Sequence, residues 1–271
     1  MNAPAPQSLL RNRAAIAEEL RRLLPQAEGF RATRVFPFGV AAIDRCLPHG
    51  GLAGGGLHEI VPDHGATPAA FGFAVALLAA LASPREPPAR PLPPGQQKKI
   101  FLVMPGYGRR DYGRPYGHGL GALGLDPGRL ILAETTHRRD TLWAIEETLH
   151  SGVPAAIAAV IDKLDLKSSQ RLQLAAHDAG LPLFLLRPAD LLESSAAATR
   201  WRVGTVPAAR DRFGLIVRAR WQLMLERCRN GRAGEWMVEY DHVAHRFSLA
   251  AAMADPAFSH RSGEKSLRQA H

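Results

Sequence analysis

Short apolar runs that alternate with segments of helical character constrain the fold of this chain more than any other feature. The runs predicted to be strands lie at Leu57–Val61, Ile100–Met104, Leu130–Ala133, Ala155–Ile161 and Leu183–Leu186. The segments predicted to be helices lie at Pro68–Ala82, Asp140–Ser151 and Ser168–Ala179. Strands without a polar face are typical of a parallel sheet that helices cover on both sides. The pattern therefore predicts a doubly wound α/β fold with right-handed crossovers.

The last third of the chain has a different pattern, because polar and apolar residues alternate there. The alternation occurs in Trp201–Val206, Trp221–Arg227 and Trp236–Tyr240. Such alternation is typical of antiparallel strands with one buried and one exposed face. We therefore expect a mainly parallel sheet with an antiparallel C-terminal extension.

The patterns divide the chain into a core and two appendages. Residues 34–246 carry the strand and helix patterns, and the proline-rich segment 83–97 within them predicts an exposed, flexible loop. Residues 1–33 include an amphipathic stretch, Gln7–Leu24, which predicts one N-terminal helix that ends before Pro25. Residues 247–271 are mostly polar and lack periodicity, so we expect a disordered tail.

Composition and charge narrow the class of protein. The formal net charge is +9, which suits a polyanion or an acidic partner. The two cysteines, Cys46 and Cys228, are too few for a disulfide framework. The sequence has neither a secretory signal nor a run of about 18 apolar residues, so we expect a cytoplasmic protein without a membrane span. The eleven histidines show no ligand spacing, and we expect no metal and no cofactor.

A glycine-rich stretch resembles the entry to the ATPase core of the RecA fold. Residues 38–44 read FGVAAID and residues 50–60 read GGLAGGGLHEI. Asp44 is expected to fix a turn with its short helix, and the glycines allow the backbone to pack closely against the first core strand. In RecA-like ATPases the next loop holds the phosphates with a lysine and backbone N–H groups.

The loop that follows this strand departs from the phosphate loop of RecA-like ATPases. Only Gly65 and Thr67 match the motif, and no lysine is present. Asp63 would repel phosphate, and Pro68 lacks the N–H group that a phosphate cradle would use. We therefore expect a plain connection between a strand and a helix.

Two further residues match positions of a RecA-like nucleotide site. Asp162 follows an apolar strand, where the family carries the Walker B aspartate, and we expect it to act as a turn residue or helix cap. Tyr116 matches the tyrosine that stacks on adenine, although Gly113 replaces the acidic adenine contact. We expect Tyr116 to pack against the sheet edge, with a residual base pocket as the alternative. The degenerate site consists of Gly65, Thr67, Tyr116 and Asp162, and it predicts a pseudo-ATPase rather than an enzyme.

Three stretches together resemble the ImuA family of RecA-related bacterial proteins. They are 140–147 (DTLWAIEE), 164–176 (LDLKSSQRLQLAA) and 195–203 (SAAATRWRV). The resemblance implies a non-catalytic accessory or adaptor protein in DNA-damage-induced translesion synthesis and mutagenesis within the SOS response. It also implies two partners, an ImuB-like relative of the Y-family polymerases and an error-prone α-subunit polymerase.

The same stretches predict local structure. Ser168 and Ser169 suit the N-cap of a helix. Trp143 is expected in the core rather than in a contact surface. The buried face of the capped helix is expected to continue through Leu172, Leu174 and Ala176.

Arginines alternate with or flank two tryptophans on the predicted C-terminal strands. These residues form a candidate surface for DNA or a partner, namely Arg200, Trp201, Arg202, Arg218, Arg220, Trp221, Arg227 and Arg229. A solvated sheet face covered by aliphatic stems is the alternative interpretation. Two further functions stay open, an active DNA-dependent ATPase of the RecA type and a cell-division inhibitor that resembles SulA and binds the division-ring protein.

Overall fold

The computed structural model describes residues 34–82, 98–106, 113–190 and 193–250. The expected N-terminal helix (1–33), the expected proline-rich loop (83–97) and most of the expected tail (251–271) lie outside the described residues. None of the helices in the described ranges is long and apolar enough to cross a bilayer.

Twelve strands are described, and ten of them form one sheet. In chain order they are β1 (Val35–Phe36), β2 (Leu52–Ala53), β3 (Leu57–Pro62), β4 (Ile100–Pro105), β5 (Leu130–Thr135), β6 (Ala156–Val160), β7 (Leu183–Leu186), β8 (Thr199–Thr205), β9 (Ala209–Arg210), β10 (Ile216–Cys228), β11 (Gly234–Asp241) and β12 (Arg246–Leu249). The spatial order of the large sheet is β12-β11-β10-β8-β3-β7-β6-β4-β5, and β9 pairs with β10. The strands β1 and β2 form a separate antiparallel pair.

The large sheet has a parallel part and an antiparallel part. All neighbours from β5 to β8 are parallel, and β8, β10, β11 and β12 are joined by antiparallel pairing. The expected mainly parallel α/β sheet, RecA-like and with an antiparallel C-terminal extension, is thereby confirmed.

The described residues include five α-helices beside the sheet. They are α1 (Ala41–Asp44), α2 (Thr67–Ala82), α3 (Gly117–Ala122), α4 (Arg138–Ser151) and α5 (Leu166–Ala179). Residues of α2 belong to the apolar cluster on one face of the sheet, and residues of α4 and α5 belong to the cluster on the other face. All residues of β3, β6 and β7 are buried, as strands between two helical layers must be.

The turn before α1 has the predicted construction. The Asp44 carboxylate accepts hydrogen bonds from the backbone N–H groups of Phe38 at 2.6 Å and Gly39 at 3.0 Å. A Cβ atom at Gly51 would lie 2.5 Å from the carbonyl oxygen of Phe36. The role predicted for Asp44 is confirmed, and Gly51 is required because the backbones approach so closely.

A chain of buried hydrogen bonds joins β2, β3 and β8. The Nε2 atom of His58 lies 3.0 Å from the carbonyl oxygen of Ala53, and its Nδ1 atom lies 2.8 Å from Oγ1 of Thr199. A carbonyl oxygen only accepts, so Nε2 carries the proton and Nδ1 accepts from the Thr199 hydroxyl. The same hydroxyl oxygen accepts from Nε1 of Trp201 at 2.9 Å. Burial lowers the pKa of His58 from 6.5 to about 4, which keeps the imidazole neutral.

Three predictions about α4 and α5 are wrong. Asp165, not Ser168 or Ser169, is the N-cap of α5, because the helix begins at Leu166. Leu174 is 61% exposed, whereas Leu172 and Ala176 are buried as expected. Trp143 is 63% exposed on α4 and does not belong to the core. In both helices the side that faces the sheet is narrower than the apolar pattern suggests.

The core also extends past its predicted boundary at residue 246. Strand β12 pairs with β11 as far as Leu249. The ring of Phe247 is buried and packs on Phe38, with ring centroids 4.9 Å apart. The sequence did not predict β12, because its short apolar alternation adjoins a long polar segment.

Candidate nucleotide site and arginine-rich surface

Three of the four candidate nucleotide-site residues lie at one edge of the sheet. Gly65 and Thr67 follow β3, and Asp162 follows β6. The carboxyl ends of these parallel strands meet at the same edge, where open α/β sheets bind ligands. Strand β7 lies between β3 and β6, so one strand separates the two parts of the site.

The loop after β3 is a tight turn in which two backbone N–H groups already donate within the protein. The N–H group of Asp63 donates to the carbonyl oxygen of Val203, and that of Ala66 donates to the carbonyl oxygen of Asp63, both at 2.9 Å. Gly65 has a φ of +78°. A phosphate cradle needs N–H groups that converge on the ligand. This loop has two donors turned away, a proline at Pro68 and no lysine.

Asp162 lies at the end of β6 with its side chain exposed. The helix cap expected there is formed three residues later by Asp165, whose carboxylate accepts hydrogen bonds from the Ser168 N–H and hydroxyl, both at 2.8 Å. These hydrogen bonds lower the pKa of Asp165 below its usual value. The expected capping role of Asp162 is therefore wrong.

Tyr116 does not pack against the sheet edge. Its side chain is 70% exposed and stacks on His118, with ring centroids 5.1 Å apart. Tyr116 immediately precedes α3, on the long connection from β4 to β5. The expected packing of Tyr116 is wrong, and its exposed ring is open to solvent.

The two tryptophans of the candidate surface belong to the core. Trp201 is fully buried and Trp221 is 4% exposed. The Nε1 atom of Trp221 donates to the carbonyl oxygen of Ala69 on α2 at 2.9 Å. Alternation along β8 and β10 directs the arginines next to these tryptophans to the opposite face. Arg227 joins them because a bulge in β10 pairs it with Arg200. The assignment of Trp201 and Trp221 to a binding surface is therefore wrong.

Four of the six arginines pair with carboxylates of the same chain. Arg218 and Arg220 share Glu239, at 2.8 Å and 3.0 Å, and Arg218 also lies 3.7 Å from Asp241. The other pairs are Arg200 with Glu59 and Arg202 with Glu226. Positive charge on this face is thus largely balanced within the protein.

The remaining two arginines contact backbone carbonyl groups. Arg227 donates to the carbonyl oxygens of Ser195 and Ala197, both at 2.6 Å, and Arg229 donates to that of Ala196 at 2.8 Å. These bonds tie the end of β10 to the segment that precedes β8. Burial and the neighbouring Arg200 lower the pKa of Arg227.

A buried ion cluster connects this face to the centre of the sheet. Glu59 and Arg187 are both fully buried, with 3.5 Å between Oε1 of Glu59 and Nε of Arg187. Oε2 of Glu59 accepts from Ser195 at 2.8 Å and from Arg200 at 2.9 Å. Arg187 also donates to Glu193 at 2.6 Å. This cluster was not predicted from the sequence, although a glutamate inside a buried strand requires a charged partner.

The charged face of β8, β10 and β11 contains two shallow depressions that share Gln222. One, of about 70 Å³, lies between Asp63, Arg202 and Met224, and the other, of about 260 Å³, lies beside Trp236 and Met237. Met224 and Met237 are 38% and 39% exposed. Among the described residues no group of His, Cys, Asp or Glu side chains could hold a metal ion.

Comparison with known proteins agrees with the sequence resemblance. No protein-family model matches the chain. The Protein ImuA of Caulobacter vibrioides strain NA1000 / CB15N is 33% identical over 243 residues, which cover 82% of this chain and 91% of the relative. The Protein ImuA of strain ATCC 19089 / CIP 103742 / CB 15 matches with the same figures. At this identity over nearly the whole relative, the chain belongs to the ImuA family.

Proposed function

We propose that the protein is a non-catalytic adaptor in DNA-damage-induced translesion synthesis and mutagenesis. In this role it binds an ImuB-like relative of the Y-family polymerases and serves an error-prone α-subunit polymerase. Membership in the ImuA family supports the general role. The loop after β3 supports the non-catalytic part of the proposal, because the RecA-like sheet is present but its loop lacks the lysine that holds phosphate in RecA-like ATPases.

The absence of the lysine bears most strongly on catalysis. Phosphoryl transfer depends on positive charge and N–H groups that stabilise the transferred phosphate. The loop after β3 contains Asp63 in place of such a charge, and its Asp63 and Ala66 N–H groups donate within the protein. Nucleotide bound at this edge would meet too few donors for turnover.

Steady-state hydrolysis tests the non-catalytic part of the proposal. We expect no ATP turnover above background, with or without single-stranded DNA. The variants to compare are Asp162→Ala, at the candidate site, and Asp178→Ala, an exposed aspartate on α5. DNA-stimulated turnover that the first variant abolishes and the second retains would identify an active ATPase and overturn the proposal.

The ion pairs favour a protein partner over DNA on the arginine-rich face. Cationic side chains that bind the phosphate backbone release its counterions, so affinity falls with salt. On single strands the logarithm of the binding constant falls with the logarithm of the salt concentration, with a slope of about −0.7 per phosphate contact. Glu239 already shares Arg218 and Arg220. We therefore expect weak binding to single-stranded DNA with a shallow salt slope.

A double variant separates the two kinds of partner. Arg218→Ala with Arg220→Ala is titrated against single-stranded DNA and against the purified ImuB-like protein. Arg138→Ala with Arg139→Ala, on α4, removes the same charge elsewhere. We expect the first pair alone to weaken the protein complex and to reduce damage-induced mutagenesis in cells. If a folded double variant binds both ligands like the wild type, the face is only a solvated sheet surface.

A further inference from the structure

A hairpin at the antiparallel end of the sheet exposes an unusual number of apolar side chains. The hairpin comprises β9, its turn and the first three residues of β10, that is, residues 209–218. Phe213 is 72% exposed, Leu215 65%, Ile216 58% and Val217 42%. Scattered exposed apolar residues are ordinary, but four within five positions concentrate apolar surface at this hairpin, and such patches are typical of interaction sites.

The hairpin extends past the body of the sheet. The pairing of β10 with β11 begins at Ala219, and its pairing with β8 begins at Trp221. Before these positions β10 pairs with β9, at Ile216 with Arg210 and at Arg218 with Ala209. The apolar side chains therefore lie on the part of β9 and β10 that extends beyond β8 and β11.

The tip of the hairpin is ordered by its own hydrogen bonds. Oδ1 of Asp211 accepts from the N–H groups of Phe213 at 2.8 Å and Leu215 at 2.9 Å. Gly214 adopts a φ of +80°, and its carbonyl oxygen accepts from Arg210 at 2.6 Å. A tip held in this way loses little conformational freedom when it binds, which favours affinity.

The charges around the patch indicate what the hairpin binds. Three arginines lie in the hairpin, against the single carboxylate of Asp211. The guanidinium of Arg212 lies 4.7 Å from the centre of the Phe213 ring, so the anchor side chain is flanked by positive charge. An apolar pocket with carboxylates at its rim is complementary to this arrangement.

Nucleic acid fits the hairpin less well than a protein does. Arg218 is engaged with Glu239 and Asp241, and Arg210 donates to the turn. Phosphate recognition draws on several cations, whereas aromatic anchors in desolvated pockets dominate protein interfaces.

We propose that the hairpin 209–218 is the anchor by which the protein docks on its protein partner. Phe213 and Leu215 enter an apolar pocket of the partner, and Arg212 faces carboxylates at the pocket rim. This inference rests on the proposed adaptor function, since it names the surface that the adaptor uses. The experiment also distinguishes two other ligands of the hairpin, a second copy of this chain and single-stranded DNA.

The test compares variants of the full chain in titrations with the purified ImuB-like protein. Phe213→Ala with Leu215→Ala is expected to raise the Kd by about tenfold or more, because central aromatic anchors carry much of an interface's affinity. Trp143→Ala, an equally large exposed side chain on α4, is the matched control and should leave the Kd unchanged. Thermal unfolding verifies that the exposed substitutions preserve the fold.

Two further variants test the order and the charge of the hairpin. Asp211→Ala removes the acceptor that orders the tip and should weaken the complex, whereas Asp211→Asn keeps that acceptor and should retain most of the affinity. Arg212→Glu should weaken the complex through repulsion from the acidic rim, and added salt should partly restore it.

The outcomes separate the docking surface from the adaptor function. If the wild-type protein forms no complex with the ImuB-like protein, both proposals fail. If it forms one whose Kd is the same for the Phe213→Ala, Leu215→Ala variant, the hairpin assignment alone is overturned. The same holds if that variant changes only self-association, measured by light scattering, or only binding to single-stranded DNA.

Discussion

The two parts of the sheet bury their strands in different ways. In β3, β6 and β7 every residue is buried, with α2 on one face and α4 and α5 on the other. In β8, β10 and β11 one face packs into the core and the other carries charged and polar side chains. The parallel part therefore serves as a scaffold. In the antiparallel part, the side chains on the outer face can be substituted without disturbing the core.

Each part of the sheet contains ion pairs between glutamate and arginine, but the pairs differ in their exposure to water. Glu59 on β3 is fully buried with Arg187, whereas Glu239 on β11 pairs with the 46% exposed Arg218. Glu239 is itself buried, but Arg218 reaches solvent, so water screens the second pair more than the first. Substitutions of matched residues in the two parts should therefore differ in their effect on the free energy of unfolding.

The largest expected effect comes from the covered face of the antiparallel part. Trp201→Ala should lower the free energy of unfolding by about 4 kcal/mol, because it leaves a cavity in the core. Trp143→Ala, on the exposed side of α4, should change it by about 0.5 kcal/mol or less. Urea unfolding followed by circular dichroism measures both, and equal losses would contradict the assignment of faces.

The next effect concerns the buried ion cluster. Glu59→Gln removes the charge that faces Arg187 and Arg200, so the free energy of unfolding should fall by about 3 kcal/mol. Glu239→Gln should cost less, about 1 kcal/mol, because its partner Arg218 is 46% exposed and water can solvate the guanidinium. Chemical denaturation at neutral pH provides the comparison. Similar losses in the two variants would show that burial does not separate the two clusters.

A pH dependence follows from His58 in the parallel part. The pKa of His58 is about 4 in the folded protein, against 6.5 for an imidazole in water, so below pH 6.5 the unfolded chain binds a proton that the folded protein does not. The stabilising contribution is complete above pH 6.5 and is lost as the pH falls towards 4, by about 2 kcal/mol at pH 5. Urea unfolding between pH 4 and 7 should show this slope in the wild type and a smaller one in His58→Gln. Identical slopes would contradict a neutral, buried imidazole.

The smallest effect tests the helix that covers the parallel part. Asp165→Ala removes the N-cap of α5 and should clearly lower the free energy of unfolding, because the Ser168 N–H loses its acceptor. Asp162→Ala, three residues earlier and exposed, should leave it within about 0.5 kcal/mol. Thermal unfolding distinguishes the variants. A larger loss of stability in Asp162→Ala than in Asp165→Ala would show that Asp162 is the helix cap, as the sequence suggested.

The fold was predictable to a large extent, and the candidate site only in part. Buried strands such as Ala156–Val160 have purely apolar sequences, so their type and order follow from the sequence pattern. The loop with Gly65 and Thr67 is a tight turn in the structure, and the expectation that it is only a plain connection stays a prediction. Trp143 was misplaced because the helical pattern does not specify how much of a helix a neighbouring layer covers.

The sequence by itself determined the alternation of strands and helices, the lack of a phosphate-loop lysine and the alternation of arginines with tryptophans. Only the tertiary structure decided that the tryptophans face the core and that four of the six arginines meet carboxylates. Period-two alternation separates two sets of side chains but does not say which set is buried. Partners such as Glu239 for Arg218 lie 21 positions apart in the chain, and the register between β10 and β11 brings them together. Ion pairing is therefore a property of strand register, which the local sequence does not contain.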